Sequence, residues 1–275
     1  MPLAKRAATG KLLSSRGLAL ELAPQDSDNG LFSVNPKILA FDVFGTVVDW
    51  RTSIARESKA FLERIGRPEL DPACFADAWR GRYIEVMRAF AKSERDFVPL
   101  DVLHREMLEQ TLRAEGADPS SIDDALLADW NRAWHRLDPW PDAVAGLTRL
   151  KGRFPIVTLT NGNIALMLAM ARRAGLPWDA LLGAEVTRAY KPDPRAYLET
   201  AELLAIAPGD LCLVAAHHSD LAAARACGLR TAFVDRPYEY GGRRAPDADA
   251  EQDWDWSASD LTGLADQFGC CTSIA

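Results

Sequence analysis

Four short apolar segments, separated by helical patterns, constrain the fold of this chain most strongly. The segments are KILAFDV (37–43), FPIVTLTNGN (154–163), LCLVAAHHSD (211–220) and LRTAFVD (229–235). A short, continuous apolar run is typical of a strand that is buried on both faces of a parallel sheet. Glycine follows two of the intervening helical patterns, at Gly175 and Gly228, where helices commonly end. The alternation predicts an α/β fold, with helices on both faces of a parallel sheet.

The segment between the first two apolar runs has a different pattern. Apolar residues recur in it at spacings of three and four, at Phe75, Trp79, Tyr83, Met87 and Phe90. This spacing places them on one face of an amphipathic helix. Further helical patterns follow, and no strand pattern interrupts them. The segment therefore predicts an all-helical insertion into the α/β fold.

These patterns divide the chain into three parts. We expect residues 36–50 and 146–275 to form the α/β core, and residues 51–145 to form the helical insertion. Residues 1–35 are basic before their first acid and lack the apolar stretch of a signal peptide. We interpret them as a mobile N-terminal extension.

Composition excludes several classes of partner. The chain has 32 Lys and Arg against 39 Asp and Glu, a net charge of −7, which argues against nucleic acid as a partner. No run of about 18 apolar residues occurs, so we expect no membrane association. The five cysteines form no CxxC pair. This usage fits a reducing compartment, and we expect a cytoplasmic protein.

Polar residues cluster where the predicted strands end. In an open parallel sheet, ligands bind beyond the carboxyl ends of the strands. The sequence places there Asp42, Thr46, Thr160, Asn161, Lys191, His217 and Asp220. Asp42 lies within an apolar run, where an unpaired acid is destabilising by several kcal/mol, which favours a functional role. Structural alternatives exist for single members: Asp220 can cap a helix, and Lys191 can lie in a surface turn. The set is more specific than its members.

Four stretches resemble the four motifs of the haloacid dehalogenase superfamily, in order. They are FDVFGTVVD, TLTNGN, YKPDPRAY and VAAHHSDLAAARACGLRTAFVDR. KPDPRAY and the helix DAWRGRYIE are similar to the L-2-haloacid dehalogenase (type II) branch, whose helical cap follows the first strand. The resemblance implies a Rossmann-like, haloacid dehalogenase-like core in which residues 51–145 form the cap. It also implies a homodimer.

Phe44 separates two chemistries within this resemblance. Phosphatases of the superfamily carry a second Asp two residues after the nucleophile, which protonates the leaving alcohol, and further acids that bind Mg²⁺. Here Phe44 takes the first of these positions, and Asp220 is the only carboxylate in AAHHSD. A departing halide needs no proton. We therefore predict hydrolysis of short 2-haloalkanoic acids to 2-hydroxyacids, without a metal or another cofactor. The alternatives are a Mg-dependent small-molecule phosphatase and a non-catalytic binding protein.

The resemblance also implies the roles of the catalytic residues. Asp42 attacks the 2-haloacid substrate and forms an aspartyl ester. Lys191 keeps Asp42 ionised, and Asp220 pairs with Lys191 and helps to position water. Thr46 and Thr160 are expected to hydrogen-bond Asp42 or the substrate carboxylate.

Arg80 in DAWRGRYIE matches the halide-binding arginine of the branch, with Asn161 as its partner. Arg51 is the competing candidate for this role. Tyr197 in PRAY matches a position that supports the site.

Two residues depart from the type II pattern, which has Ser and Asn where this chain has Ala215 and His217. We interpret His217 as a neutral imidazole that acts as a base near pH 7. We also expect His217, Trp50 and Phe44 to narrow the substrate pocket toward small halogens, including the fluorine of fluoroacetate.

Overall fold

The structure is a computed structural model that describes residues 35–92, 96–243, 245–247 and 253–270. The mobile extension predicted for residues 1–35 lies, except for its last residue, outside the described residues. The strands are β1 (Ile38–Phe41), β2 (Val48–Asp49), β3 (Asp138–Pro139), β4 (Ile156–Thr158), β5 (Leu211–Ala215), β6 (Arg230–Val234) and β7 (Trp256–Ala258).

Ten helices accompany these strands in the described part of the chain. They are α1 (Trp50–Arg64), α2 (Pro72–Ala91), α3 (Leu100–Ala114), α4 (Asp124–Asn131), α5 (Ala143–Lys151), α6 (Ile164–Ala174), α7 (Ala184–Thr187), α8 (Pro194–Leu203), α9 (His218–Ala226) and α10 (Leu261–Gln267). Short 3₁₀ turns cover Pro119–Ser121, Arg132–Arg136 and Pro208–Asp210. None of the helices in these residues is long and apolar enough to cross a membrane.

The main sheet is parallel throughout, in the order β4-β1-β5-β6-β7. Strands β1, β4, β5 and β6 lie in the four predicted apolar runs, which confirms the predicted α/β fold. The edge strand β7 was not predicted. Strands β2 and β3 form a small antiparallel pair. Strand β3 falls inside residues 51–145, where only helices were expected.

Side chains alternate between the two faces of the sheet. In β1, Leu39 and Phe41 join one hydrophobic cluster and Ala40 joins the other. In β5, Cys212 and Val214 pack into the first cluster, while the intervening residues pack into the second. Because both faces are covered, neither face needs polar residues, which explains the continuous apolar runs in the sequence.

Helices α1 to α4 lie between β2 and β3, and buried aromatic residues of this segment extend the hydrophobic cluster on one face of the sheet. Trp79 packs edge-on against Trp130 and Trp134, with ring centroids 5.5 Å apart in both pairs. Trp134 also stacks with Trp50 at 6.4 Å. Trp50, the first residue of α1, follows β2 directly. The aromatic packing therefore connects the helical segment to the chain leaving the sheet.

Candidate active site

A cavity of about 510 Å³ opens beyond the carboxyl ends of the central strands. Its wall includes many of the predicted site residues: Asp42, Phe44, Trp50, Arg80, Asn161, Lys191, Tyr197, His217 and Asp220. The strand ends and α2 bring these residues together from distant parts of the sequence. The convergence that was predicted from the strand ends is therefore present in the structure.

Asp42 is the first residue after β1, and its carboxylate is held on both oxygens. The Asp42 N–H donates to the carbonyl of Val214 at 3.0 Å, which fixes its backbone to β5. Lys191 Nζ donates to Oδ1 at 3.0 Å, and the Thr46 hydroxyl donates to Oδ2 at 2.8 Å. Burial alone would raise the pKa of Asp42. The charge of Lys191 and the hydrogen bond with His217 outweigh burial, and hold the pKa well below its ordinary value of 3.8.

Lys191 is fixed by both its backbone and its ammonium group. Its N–H donates to Asn161 Oδ1 at 2.8 Å. Its Nζ also donates to Asp220, which in turn accepts a hydrogen bond from the Tyr197 hydroxyl at 2.6 Å. Burial would lower the pKa of Lys191, but the charges of Asp220 and Asp42 raise it above its ordinary value of 10.5. The ammonium group is therefore charged and oriented toward Asp42.

His217 lies between two carboxylates. Its Nδ1 is 3.2 Å from Asp42 Oδ2, and its Nε2 is 3.0 and 3.1 Å from the two oxygens of Glu239. Burial would lower the pKa of the imidazole, but the charge of Glu239 and the hydrogen bonds with both carboxylates raise it well above 6.5. The prediction of a neutral His217 is therefore wrong for the resting enzyme. Its neighbour His218 accepts a hydrogen bond from Trp254 Nε1 and packs outside the site.

Glu239 is a site residue that no sequence motif indicated. It lies in the loop after β6, where its N–H donates to the carbonyl of Arg236 and closes a turn. Arg236 Nε donates to the carbonyl of Thr46, which fastens this loop to the one that follows Asp42. Trp50 Nε1 donates to Glu239 Oε1 at 3.0 Å. The only sequence signal is its position in RPYEYGG, directly after the fourth apolar run.

Arg80 enters the cavity from α2 and lies among three aromatic rings. Its guanidinium carbon is 4.3 Å from the ring centroid of Tyr83, 5.7 Å from that of Trp50 and 6.0 Å from that of Phe44. Within the residues that the structure describes, no carboxylate is at ion-pair distance from Arg80. The cation is thus held by aromatic rings, and its charge is available to an anionic ligand.

Arg51, the competing candidate, is occupied elsewhere. Its Nε and Nη2 donate to the two oxygens of Asp77 at 2.7 and 2.9 Å. It is absent from the cavity wall, which includes Arg80. Asn161, the expected partner of Arg80, donates through Nδ2 to the Tyr83 hydroxyl, so Tyr83 joins the two residues. Tyr83 was predicted only as part of an apolar helix face.

The two predicted threonines differ in position. The Thr46 hydroxyl contacts Asp42 and accepts a hydrogen bond from the Ala216 N–H at 2.9 Å. Thr160 does not reach Asp42: its hydroxyl accepts from the Gly162 N–H at 3.2 Å, and the residue lies off the cavity wall. Thr160 therefore stabilises the turn after β4, because its hydroxyl hydrogen-bonds a backbone N–H within that turn.

A family model for haloacid dehalogenase-like hydrolases matches residues 36–228. This chain belongs to that family. The crystal structure of the defluorinating L-2-haloacid dehalogenase Rha0230 is 49% identical and has a TM-score of 0.82, covering 85% of this chain and 95% of that one. The L-2-haloacid dehalogenase PA0810 is 44% identical, with a TM-score of 0.80 and coverage of 86% and 100%.

A curated relative, the (S)-2-haloacid dehalogenase of Xanthobacter autotrophicus, is 30% identical over 204 residues, which are 73% of this chain and 75% of the relative. These relatives confirm the resemblance to the L-2-haloacid dehalogenase branch of the family, and the structural matches confirm the haloacid dehalogenase-like fold.

The charges around Asp42 oppose the binding of a metal ion at this carboxylate. Within the described part of the chain, no three His, Cys, Asp or Glu residues are grouped so as to hold a metal ion. Lys191 and His217 place a positive charge against each carboxylate oxygen of Asp42. A divalent cation at this carboxylate would be repelled by both groups. The arrangement instead suits an anionic substrate approaching Asp42 from the side of Arg80.

Proposed function

We propose that this chain hydrolyses short 2-haloalkanoic acids to 2-hydroxyacids through an ester on Asp42. One observation carries the proposal: a buried carboxylate, kept ionised by Lys191, shares a cavity with Arg80, whose charge no described carboxylate balances. An ionised nucleophile and a separate anion-binding group are what displacement of a halide requires.

In the first half-reaction, an Asp42 oxygen attacks C2 of the substrate and the carbon–halogen bond breaks. Configuration at C2 inverts because the attack is in line with the departing halide. The charge of Arg80 stabilises the negative charge of the substrate and the halide, since ions attract more strongly where the surrounding aromatic rings largely exclude water. The low pKa of Asp42 keeps the nucleophile ionised throughout the neutral pH range.

In the second half-reaction, water attacks the Asp42 carboxyl carbon and releases the 2-hydroxyacid. His217 is the candidate base for this step, because its Nδ1 faces Asp42. Alkylation of Asp42 removes the negative charge that helps to hold the Nδ1 proton. The protonated His217 of the resting enzyme therefore becomes able to act as the predicted base once the ester has formed.

The two alternatives predict different sites. A phosphatase needs a proton donor for its leaving alcohol, but Phe44 occupies the position expected for that acid and its ring faces the cavity. A non-catalytic binding protein has no need of a buried carboxylate whose pKa is lowered by its neighbours. Both features favour dehalogenation.

We propose haloacids with small halogens as substrates, because Phe44, Trp50 and His217 all line the cavity and narrow it. The relative at 49% identity is named as a defluorinating enzyme, which supports fluoroacetate as a substrate of this chain. Fluoride release from fluoroacetate, measured beside chloride release from chloroacetate, tests this proposal directly. Chloride release without fluoride release would contradict it.

We further propose that residues 51–145 act as a cap over the core, since Arg80 and Tyr83 reach the cavity from α2. A cytoplasmic location and a homodimer are proposed from cysteine usage and from family resemblance. The exposed apolar side chains of Val102, Ile164 and Leu168 support the presence of such an interface. Size-exclusion chromatography with light scattering measures the oligomeric state.

Halide release from chloro-, bromo- and fluoro-substituted 2-haloacids, with and without EDTA, tests the proposed function. We expect release that EDTA does not reduce; phosphatase activity that Mg²⁺ restores would contradict it. A single turnover in ¹⁸O-labelled water tests the ester. We expect the label in the peptide that contains Asp42, because water attacks the carboxyl carbon. Label in the first-turnover product alone would indicate direct hydrolysis.

A further inference from the structure

Glu239 is a buried acid whose carboxylate contacts two residues of the active-site cavity wall. The residue is 2% exposed. Its Oε1 accepts a hydrogen bond from Trp50 Nε1, and both of its oxygens lie within 3.1 Å of His217 Nε2. A buried carboxylate is strongly destabilising unless charged and hydrogen-bonding partners satisfy it. Both of these partners belong to the cavity wall.

The loop that carries the nucleophile is shaped around this carboxylate. Gly45 has a φ of +86°, and a Cβ at this position would lie 2.2 Å from Glu239 Oε1. Glycine is therefore required here both for its backbone conformation and for the space that Glu239 occupies.

The two nitrogens of His217 have different partners, and this decides where a proton can be exchanged. Asp42 and Glu239 are the charged groups that contact the ring, on Nδ1 and Nε2 respectively. Once Asp42 is esterified, only the Glu239 side keeps a negative charge. The hydrogen bond to Glu239 then keeps the ring proton on Nε2. Nδ1 is unprotonated, and its lone pair is directed at the ester.

We infer that Glu239 is a positioning residue that fixes the ring and tautomer of His217, so that Nδ1 accepts a proton from the water that hydrolyses the Asp42 ester. This inference rests on the proposed function. In the first half-reaction the halide leaves and the Nδ1 proton passes to solvent. In the second, water adds to Cγ of Asp42 and one of its protons moves to Nδ1. The bond from Cγ to the alkyl oxygen then breaks, and the second proton leaves with the 2-hydroxyacid. The Asp42 carboxylate and the His217 imidazolium are restored together.

Replacing Glu239 with glutamine tests the inference. The glutamine amide can donate to Nε2, which would place the ring proton on Nδ1 and remove the base. We expect Glu239→Gln to release about one halide per active site in a burst, and then to turn over roughly 100-fold or more slowly than the unmodified enzyme. The ester should accumulate as a mass increase on the peptide that contains Asp42. Glu239→Asp keeps the charge and should recover part of the rate.

Asp101→Asn is a matched control. Asp101 contacts His135 Nε2 at 3.0 and 3.1 Å, which is a second carboxylate–histidine pair, and neither residue lines the cavity. The same carboxylate-to-amide change there should leave turnover within a few-fold of the unmodified enzyme. Thermal unfolding of each variant shows whether the fold is retained.

The outcomes are separable. Turnover of Glu239→Gln at the unmodified rate overturns the inference, and so does an equal loss of burst and turnover in a folded variant. If Glu239→Gln fails to fold, Glu239→Asp provides the measurement: hydrolysis slowed more than the burst supports the inference, and equal slowing overturns it. Absence of halide release from the unmodified enzyme contradicts the proposed function instead.

Discussion

Replacing Lys191 with methionine removes the ammonium group that faces Asp42 and retains much of the apolar stem. Nζ lies 3.0 Å from Asp42 Oδ1, and the two side chains are 8% and 9% exposed. At an effective dielectric constant of about 20, unit charges 3.0 Å apart attract by roughly 5 kcal/mol. That energy corresponds to roughly four pKa units. His217 and Thr46 still contact Asp42 in the variant and offset part of this change, but we expect the pKa of Asp42 to rise.

The direction of the pH effect follows from this shift. In the unmodified protein the pKa of Asp42 is depressed, so the stability that its ionised form contributes is complete above 3.8 and is lost progressively as pH falls from there through the lower folded-state value. In Lys191→Met, burial still opposes ionisation of Asp42, and the charge of Lys191 no longer offsets it. The nucleophile should therefore become protonated in weakly acidic solution, where the unmodified enzyme keeps it ionised.

Single-turnover halide release, measured across the pH range in which each protein is folded, provides the assay. The acid limb of the Lys191→Met profile should lie at higher pH than that of the unmodified enzyme. Lys37→Met is the control, because Lys37 makes a 2.9 Å ion pair with Asp210 at the surface, where its side chain is 65% exposed. Such pairs contribute about 0 to 1 kcal/mol. An acid limb that does not move in Lys191→Met would refute the assignment of Asp42 ionisation to Lys191.

Two other substitutions test Arg80 and Gly45. Arg80→Ala should lower steady-state halide release by roughly 100-fold or more, because it removes the available cation, whereas Arg51→Ala should keep turnover within a few-fold; equal losses would contradict the assignment of Arg80. Gly45→Ala should lower the free energy of unfolding by about 2 kcal/mol or more, from its positive φ and the contact with Glu239. Chemical denaturation measures this change. Unchanged stability would show that glycine is not required at position 45 to leave space for Glu239.

Burial on both faces decides which strands could be predicted from the sequence. Strands β1, β4 and β5 are almost entirely buried, so each forms a short, nearly continuous apolar run, and β6 is buried at three of its five residues. Strand β7 is an edge strand in which Trp256 and Ala258 are half-buried and Ser257 is exposed. Three residues with mixed exposure give no apolar run, and the strand was missed.

The same reasoning separates the predicted site residues from the missed ones. Asp42, Lys191 and Asp220 could be predicted together because parallel strand ends converge, and because an acid in an apolar run needs a partner. Glu239 lies 189 residues from Trp50 along the chain, in a loop without periodic pattern. The charge of His217 depends on Glu239, so its ionisation could not be inferred without the folded loop.

The two cations that face Asp42 are arranged alike and yet respond differently to its alkylation. Lys191 has a second carboxylate in Asp220, and His217 has one in Glu239. Formation of a neutral ester therefore leaves each of these groups one ion-pair partner, which avoids two uncompensated buried cations. Their ordinary pKa values, 10.5 and 6.5, differ by four units. Loss of the same negative charge therefore leaves lysine protonated and brings imidazole within reach of deprotonation. Lys191 can thus hold the carboxyl group through both half-reactions, while His217 exchanges the proton that hydrolysis requires.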